Sequence, residues 1–112
     1  MSFFKSSVPE MTVHELNASL KDDSPPTLLD VRQARERAIA SLGGIHIPLN
    51  ELTNRIEELE DQKGQPIVVY CRSGGRSARA VKFMRTQGFD AINLKGGTLA
   101  WSNEIDPSLP IY

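Results

Sequence analysis

Pro66-Ile67-Val68-Val69-Tyr70-Cys71-Arg72-Ser73-Gly74-Gly75-Arg76-Ser77-Ala78 holds the one cysteine of the chain. Its first five residues are rich in β-branched and aromatic side chains, which favour a buried, extended strand. A short glycine-containing loop follows, and Ser77 to Gln87 then reads as a helix. Ala78, Val81 and Met84 form its inner row with Ala80 and Phe83 close by, and Arg79, Lys82 and Arg85 lie outside. The order is strand, turn, helix. It sets a thiol at the carboxyl end of a strand, facing the amides that open a helix, where partial positive charge collects. Such surroundings lower a cysteine pKa and enrich the thiolate, which is the reactive form.

The loop itself points to an anion. Gly74 and Gly75 permit positive φ, so that successive amides turn inward as a nest, and at least one of Arg72 and Arg76 can add a full positive charge near the sulfur. A free cysteine at a strand end is ordinarily a small buried hydrophobe. Two arginines, two glycines and a helix start around it favour the anion site instead.

Outward from this core stretch, residues 1–10 read as a loose leader with the apolar pair Phe3-Phe4 but no apolar run of signal-peptide or membrane-span length. A brief strand is expected to end near Thr12. Thr12 and Glu15 have the capping-box spacing that opens a helix to about Leu20, with Val13, Leu16 and Leu20 inward and His14 on the surface. Lys21 to Pro26 is a solvated turn. Thr27-Leu28-Leu29-Asp30-Val31 reads as a buried central parallel strand with a carboxylate near its end. Residues 32–40 have helix-forming composition, and Arg35, Glu36 and Arg37 are expected on its solvated face.

Ile45 to Ile47 make a short strand stopped by Pro48, with His46 satisfied by structure rather than acting as a base or metal ligand. Asn50 can cap a helix with Leu49, Leu52, Ile56 and Leu59 inside and an acidic outer face, ended by Lys63-Gly64-Gln65-Pro66. Beyond the helix that follows the loop, Gly88 fits its end, Phe89 to Leu94 supply another strand, and a last helix opens after Lys95. Residues 106–112, with two prolines, cannot be helical throughout.

Strands alternating with helices predict an α/β domain over 11–105, with a mainly parallel central sheet flanked by helices on both faces, and a tail at 106–112. Ligands of such sheets bind beyond the carboxyl ends of the strands, where Cys71 and Asp30 both fall. A chain of 112 residues supports one modest core, and 39% hydrophobic and 24% charged residues suit a soluble globular domain. The net charge of −1 gives no reason to expect nucleic acid or a membrane surface as partner. One cysteine excludes an internal disulfide and a second, resolving thiol. With only two histidines beside it, neither a protein-only metal site nor a cofactor is expected. The expected address is the cytoplasm, where a lone thiol stays reduced.

Cys71-Arg72-Ser73-Gly74-Gly75-Arg76-Ser77 resembles the active-site loop of the rhodaneses, in particular the single-domain thiosulfate sulfurtransferases, and the resemblance runs from about Met11 to Trp101. Asp30-Val31-Arg32 resembles the family's Asp-x-Arg element, which lies beside the active loop and helps hold it. An acid there can bond loop amides, pair with a loop arginine, or cap a helix. Glu36 stands where the family usually carries a structural acid. Ser41 to Leu49 matches the family's Gly-His-Ile-Pro-Gly-Ala-x-x-Ile-Pro segment only in its second half, since Ile39, Ala40 and Leu42 replace the glycine, histidine and first proline. Gly96-Gly97-Thr98-Leu99-Ala100-Trp101 resembles the Gly-Gly-x-x-x-Trp element, with Trp101 expected as a core anchor.

The resemblance implies that Cys71 is the catalytic nucleophile. It would take sulfur from a small anionic donor such as thiosulfate and pass it, through a persulfide, to cyanide or a thiol. Arg72, Ser73, Gly74, Gly75, Arg76 and Ser77 would form the substrate-binding loop, with Asp30 and Arg32 in support. Cysteine phosphatases and some arsenate reductases use the same parts but place five residues between cysteine and arginine. Here four separate Cys71 from Arg76, and Ser77 holds the phosphatase arginine's place, so the cradle suits sulfur better than a phosphoryl group. A further reading is a carrier module in a sulfur relay, docked on a partner protein. The Asp106-Pro107-Ser108-Leu109-Pro110-Ile111-Tyr112 ending resembles the tail of rhodanese domains fused to enzymes that activate sulfur-carrier proteins.

Overall fold

The computed structural model describes residues 8–112. Strands β1 (Glu10–Met11), β2 (Thr27–Asp30), β3 (Ile45–His46), β4 (Pro66–Tyr70) and β5 (Asp90–Leu94) alternate with helices α1 (Val13–Ser19), α2 (Ala34–Ile39), α3 (Leu49–Arg55), α4 (Gly75–Thr86) and α5 (Gly97–Glu104). All strand pairs are parallel, in the order β1-β5-β4-β2-β3. This is the expected α/β architecture, and β4 lies at its centre.

The alternation of side chains along β4 explains the two-faced core. Ile67, Val69 and Cys71 pack with Leu52 of α3 and with Ala80, Val81 and Met84 of α4. Val68 and Tyr70 point the other way and pack with Val13 and Leu16 of α1, with Ala100 and Trp101 of α5 against them. A strand buried on both faces has no polar side to show, and this is why 67–71 reads as a continuous apolar run.

Several boundaries differ from the sequence expectation. The proposed leader lies outside the described residues as far as Ser7, but Glu10 is already in β1, and the Pro9 carbonyl accepts from the Asn93 amide at 2.9 Å. Thr12 and Glu15 form the expected capping box at the start of α1. Asn50 does not cap α3. That helix follows Pro48 directly, because the Leu49 amide is held by the Val31 carbonyl at 3.0 Å as the β2–β3 pairing runs out. The expected single helix also tightens into a 3-10 stretch over Ile56–Gln62. At three residues per turn Ile56 and Leu59 fall on one side, and both face the core. The tail folds back onto the domain: the Ser102 hydroxyl donates to the Leu109 carbonyl at 2.5 Å, and Arg32 Nη1 donates to the Tyr112 carbonyl at 2.9 Å. Among the described residues no helix is long and apolar enough to cross a membrane.

Candidate active site

β4 ends at Tyr70, and the chain leaves the sheet with Cys71 at its carboxyl edge. Two carbonyls at this edge are clamped by the first turn of α5. The Thr98 amide donates to the Cys71 carbonyl and the Leu99 amide to the Arg72 carbonyl, each at 2.9 Å. The approach is so close that a Cβ on Gly97, whose φ is +57°, would run into both carbonyl oxygens. Gly74 then turns the chain with φ +104° and α4 starts at Gly75, two residues before the expected Ser77.

The turn aims its donors at sulfur. The Gly74 amide lies 3.2 Å from Cys71 Sγ, the Ser77 amide 3.4 Å, and the Ser77 hydroxyl oxygen 3.4 Å. Cys71 is only 1% exposed. Burial pushes its thiol pKa up, but hydrogen bonds from Ser77 and from the Gly74 and Ser73 amides outweigh burial and hold it below the usual thiol value. The group is therefore a thiol predisposed to ionise, in an amide cradle shaped for one anionic atom.

The two loop arginines divide in role. Arg72 is exposed, its guanidinium carbon 5.8 Å from the centre of the Tyr112 ring. Arg76 is instead locked to Glu36 of α2 by two contacts, 2.7 and 2.8 Å. Glu36 is thus a correction to the solvated face expected for it, being 7% exposed. Its other role is to accept from the Gln33 amide at 2.9 Å, at the start of α2. The Arg76 pKa is raised by this pairing, with the nearby Cys71 adding to the effect. An apolar-and-basic groove of about 480 Å³ opens beside Arg76 between α3 and α4, lined by Leu49, Asn50, Thr53, Arg79 and Phe83.

Asp30 and Arg32 do not reach the loop amides or the loop arginines, and Asp30 caps no helix. The Asp30 carboxylate accepts from the Arg32 amide, Nε and Nη2 at 3.0, 2.9 and 2.8 Å, and from Arg37 Nη1 at 3.4 Å. The full buried charge on Arg32, with its own main-chain amide, claims the acid, and no loop amide bonds it. Arg32 in turn donates to the Ala40 carbonyl and sits 5.4 Å from the Tyr70 ring centre, so the pair braces the edge of the sheet one strand away from Cys71. His46 is satisfied as expected, its Nε2 donating to the Arg32 carbonyl at 2.7 Å, and exposed His14 meets Glu104 at 2.9 Å.

Two residues near the loop escaped the sequence reading. The Tyr70 hydroxyl donates to the Gly43 carbonyl at 2.8 Å and accepts from the Leu42 amide at 3.2 Å, anchoring the segment that departs from the family pattern. Asn93 of β5 is 2% exposed, accepts from the Ser77 hydroxyl at 2.5 Å and donates to the Gly74 carbonyl at 3.2 Å. A carboxamide between Ile92 and Leu94 in an interior strand is the one signal that could have found it, since a buried polar group must have partners.

A family model described as the rhodanese-like domain matches residues 12–104. The chain belongs to that family. Among curated relatives, the maize (Zea mays) adenylyltransferase and sulfurtransferase MOCS3-2 is 38% identical over 109 residues, covering 91% of this chain and 23% of the maize protein. This rhodanese-like domain therefore spans less than a quarter of that relative's length. A rhodanese-related protein from Thermoplasma volcanium superposes with a TM-score of 0.81 at 28% identity, covering 94% of this chain and all of the other (100%). A thiosulfate sulfurtransferase from Pseudomonas aeruginosa gives a TM-score of 0.75 at 26% identity, covering 86% of this chain and 19% of that one.

Proposed function

We propose that this domain is a sulfurtransferase that carries sulfur on Cys71. The observation that carries the reading is the pair of main-chain amides, of Gly74 and Ser77, converging on Cys71 Sγ, with the Ser77 hydroxyl beside them. In the first half-reaction the thiolate attacks the outer sulfur of an anionic donor such as thiosulfate. A Cys71–sulfur bond forms as the donor's sulfur–sulfur bond breaks, and sulfite leaves with the bonding electron pair. In the second, a thiol or cyanide attacks the outer persulfide sulfur and Cys71 departs as thiolate, completing a two-step transfer through a covalent intermediate. The amides stabilise the charge on each sulfur in turn, as an oxyanion hole does.

Arg72, exposed at the rim, attracts the donor, while Arg76, engaged by Glu36, holds the loop in shape. That engagement also weakens the phosphatase alternative, because the Arg76 fork is already paired with the Glu36 carboxylate and would have to give up that pairing to take a phosphate in the same bidentate way. No histidine base is required when the thiolate is already favoured. A reducing compartment such as the cytoplasm suits a mechanism with one thiol.

A sulfur-relay role is the second reading, favoured by the maize relative, whose name joins adenylyl transfer to sulfur transfer. The two differ in acceptor: small thiols or cyanide for a free enzyme, a specific protein for a relay.

Intact-protein mass after brief incubation with thiosulfate, without reductant, tests the reading beside Cys71→Ser. A gain of one sulfur atom on the wild type alone, removed by cyanide, supports it. No gain, with turnover of a phosphate ester, overturns it.

A further inference from the structure

The Ser77 hydroxyl has one proton and two neighbours that want it. Cys71 Sγ lies 3.4 Å away and Asn93 Oδ1 lies 2.5 Å away. Which end of the Asn93 carboxamide faces Ser77 is fixed by its other contact, 3.2 Å to the Gly74 carbonyl, which can only accept. The nitrogen must point to Gly74, so the oxygen points to Ser77 and takes its proton. With that proton engaged, the hydroxyl offers Cys71 only a lone pair, which suits a protonated thiol and does not suit an anion.

We propose that Asn93 is a positioning residue that holds the Ser77 proton away from Cys71 while the sulfur is protonated, and releases it to the sulfur when the sulfur becomes an anion. In the step, the thiol proton leaves to solvent and the hydroxyl rotates about its C–O bond. Its hydrogen bond passes from Asn93 Oδ1 to Sγ, and no other covalent bond changes. A charged acceptor outcompetes a neutral carboxamide, which drives the exchange in one direction. Asn93 keeps its bond to Gly74 throughout, so the Gly74 amide stays aimed at sulfur in both states.

Other groups around the sulfur do not change partner with its charge. On α4, Arg76 faces it as a permanent cation tied to Glu36 of α2. Arg72 stands at the exposed rim of the loop. The α5 amides of Thr98 and Leu99 are spent on main-chain carbonyls. Among the described contacts of the sulfur, the Ser77 hydroxyl is the one donor free to rotate, and Asn93 competes with the sulfur for it. This role rests on the sulfur-transfer reading of Cys71 for its use. The test needs no donor or acceptor, so the two can fail separately.

The test is the rate of iodoacetamide alkylation of Cys71 against pH in wild type, Ser77→Ala, Asn93→Leu and the double variant, with folding checked by circular dichroism. Ser77→Ala slows alkylation at neutral pH by roughly three- to tenfold, about half on a logarithmic scale of what one hydrogen bond to an anion carries, because a less stabilised thiolate is also a stronger nucleophile. Asn93→Leu speeds it relative to wild type, because the hydroxyl is then free for sulfur. In the Ser77→Ala background the speeding disappears. Equal effects of Asn93→Leu with and without the Ser77 hydroxyl overturn the proposal, and so does a Ser77→Ala variant as reactive as wild type. Asn93→Ala makes the same comparison without added bulk if the leucine variant does not fold.

Discussion

Arg76 Nη1 meets Glu36 Oε1 at 2.7 Å and Arg76 Nη2 meets Glu36 Oε2 at 2.8 Å, joining the Cys71 loop to α2 across 40 residues of sequence. The arginine side chain is about a third exposed and the glutamate nearly buried, so the pair is a half-sheltered staple and not a surface ion pair.

Its pH signature follows from the acid. Arg76 holds the Glu36 carboxyl at about 2 against an ordinary 4.5, with burial opposing and the Gln33 amide assisting. A depressed carboxylate pKa adds stability that is full above 4.5 and lost as pH falls towards 2. Glu36→Gln should therefore lower unfolding free energy by roughly 2 kcal/mol at neutral pH, after discounting for the exposed side of the pair. The gap to wild type should narrow at about pH 3. Urea melts at both pH values measure it, and a gap that does not change with pH would count against the pairing.

The Asp30–Arg32 pair behaves differently because both side chains are fully buried. Removing the acid leaves a guanidinium in the protein interior beside main-chain carbonyls, the Tyr70 ring and Arg37, without its paired carboxylate, so Asp30→Ala should cost about 3–5 kcal/mol. Replacing the pair together, as Asp30→Leu with Arg32→Met, should recover much of that loss, since no orphaned charge remains. Chemical denaturation of the single and double variants compares them. A single variant within about 1 kcal/mol of wild type would show that the buried pair is not braced as described.

These two pairs also mark where the sequence was readable. The β4–loop–α4 unit could be read directly, because a two-faced buried strand, paired glycines and helical spacing are all local signals. Asp30 and Arg32 were visible as a motif, yet their pairing was not: an acid at a strand end has many candidate partners, loop amides and a loop arginine among them, and the guanidinium two residues along had no local signal to set it above the others. Glu36 looked like part of a solvated face because its sequence neighbours are charged, and its burial depends on Arg76, 40 positions away. Asn93 was hidden for the same reason, its two partners lying on another element.

Gly97 tests the clamp on the loop. Its φ of +57° and the approach of the Cys71 and Arg72 carbonyls leave no room for a methyl group. Gly97→Ala should push α5 away from the end of β4, break the Thr98 and Leu99 bonds, and shift the Gly74 and Ser77 amides relative to sulfur. The expected result is a loss of about 2–4 kcal/mol in stability together with slower Cys71 alkylation. Gly64→Ala is the control for positive φ alone: its φ is +93°, nothing lies near its Cβ position, and it precedes the amino end of β4, at the opposite end of that strand from the loop. That variant should lose some stability and keep the alkylation rate.

Arg72 should govern how donors arrive and not how they react. It is exposed and makes no ion pair among the described residues, so its charge is free to attract an anion at the mouth of the loop. With thiosulfate as donor, Arg72→Ala should raise KM by about tenfold and leave kcat within about twofold, the pattern of an interaction present before and during the reaction alike. Arg72→Lys should restore most of the loss, because steering needs charge more than fork geometry, and added salt should narrow the gap between wild type and Arg72→Ala. Tyr112→Ala removes the ring that lies 5.8 Å from the guanidinium and should change KM by less than about twofold, since an exposed cation–π contact is weak. Steady-state kinetics over a range of thiosulfate concentrations separates these outcomes. A fall in kcat with KM unchanged for Arg72→Ala would instead place this arginine on the reacting sulfur.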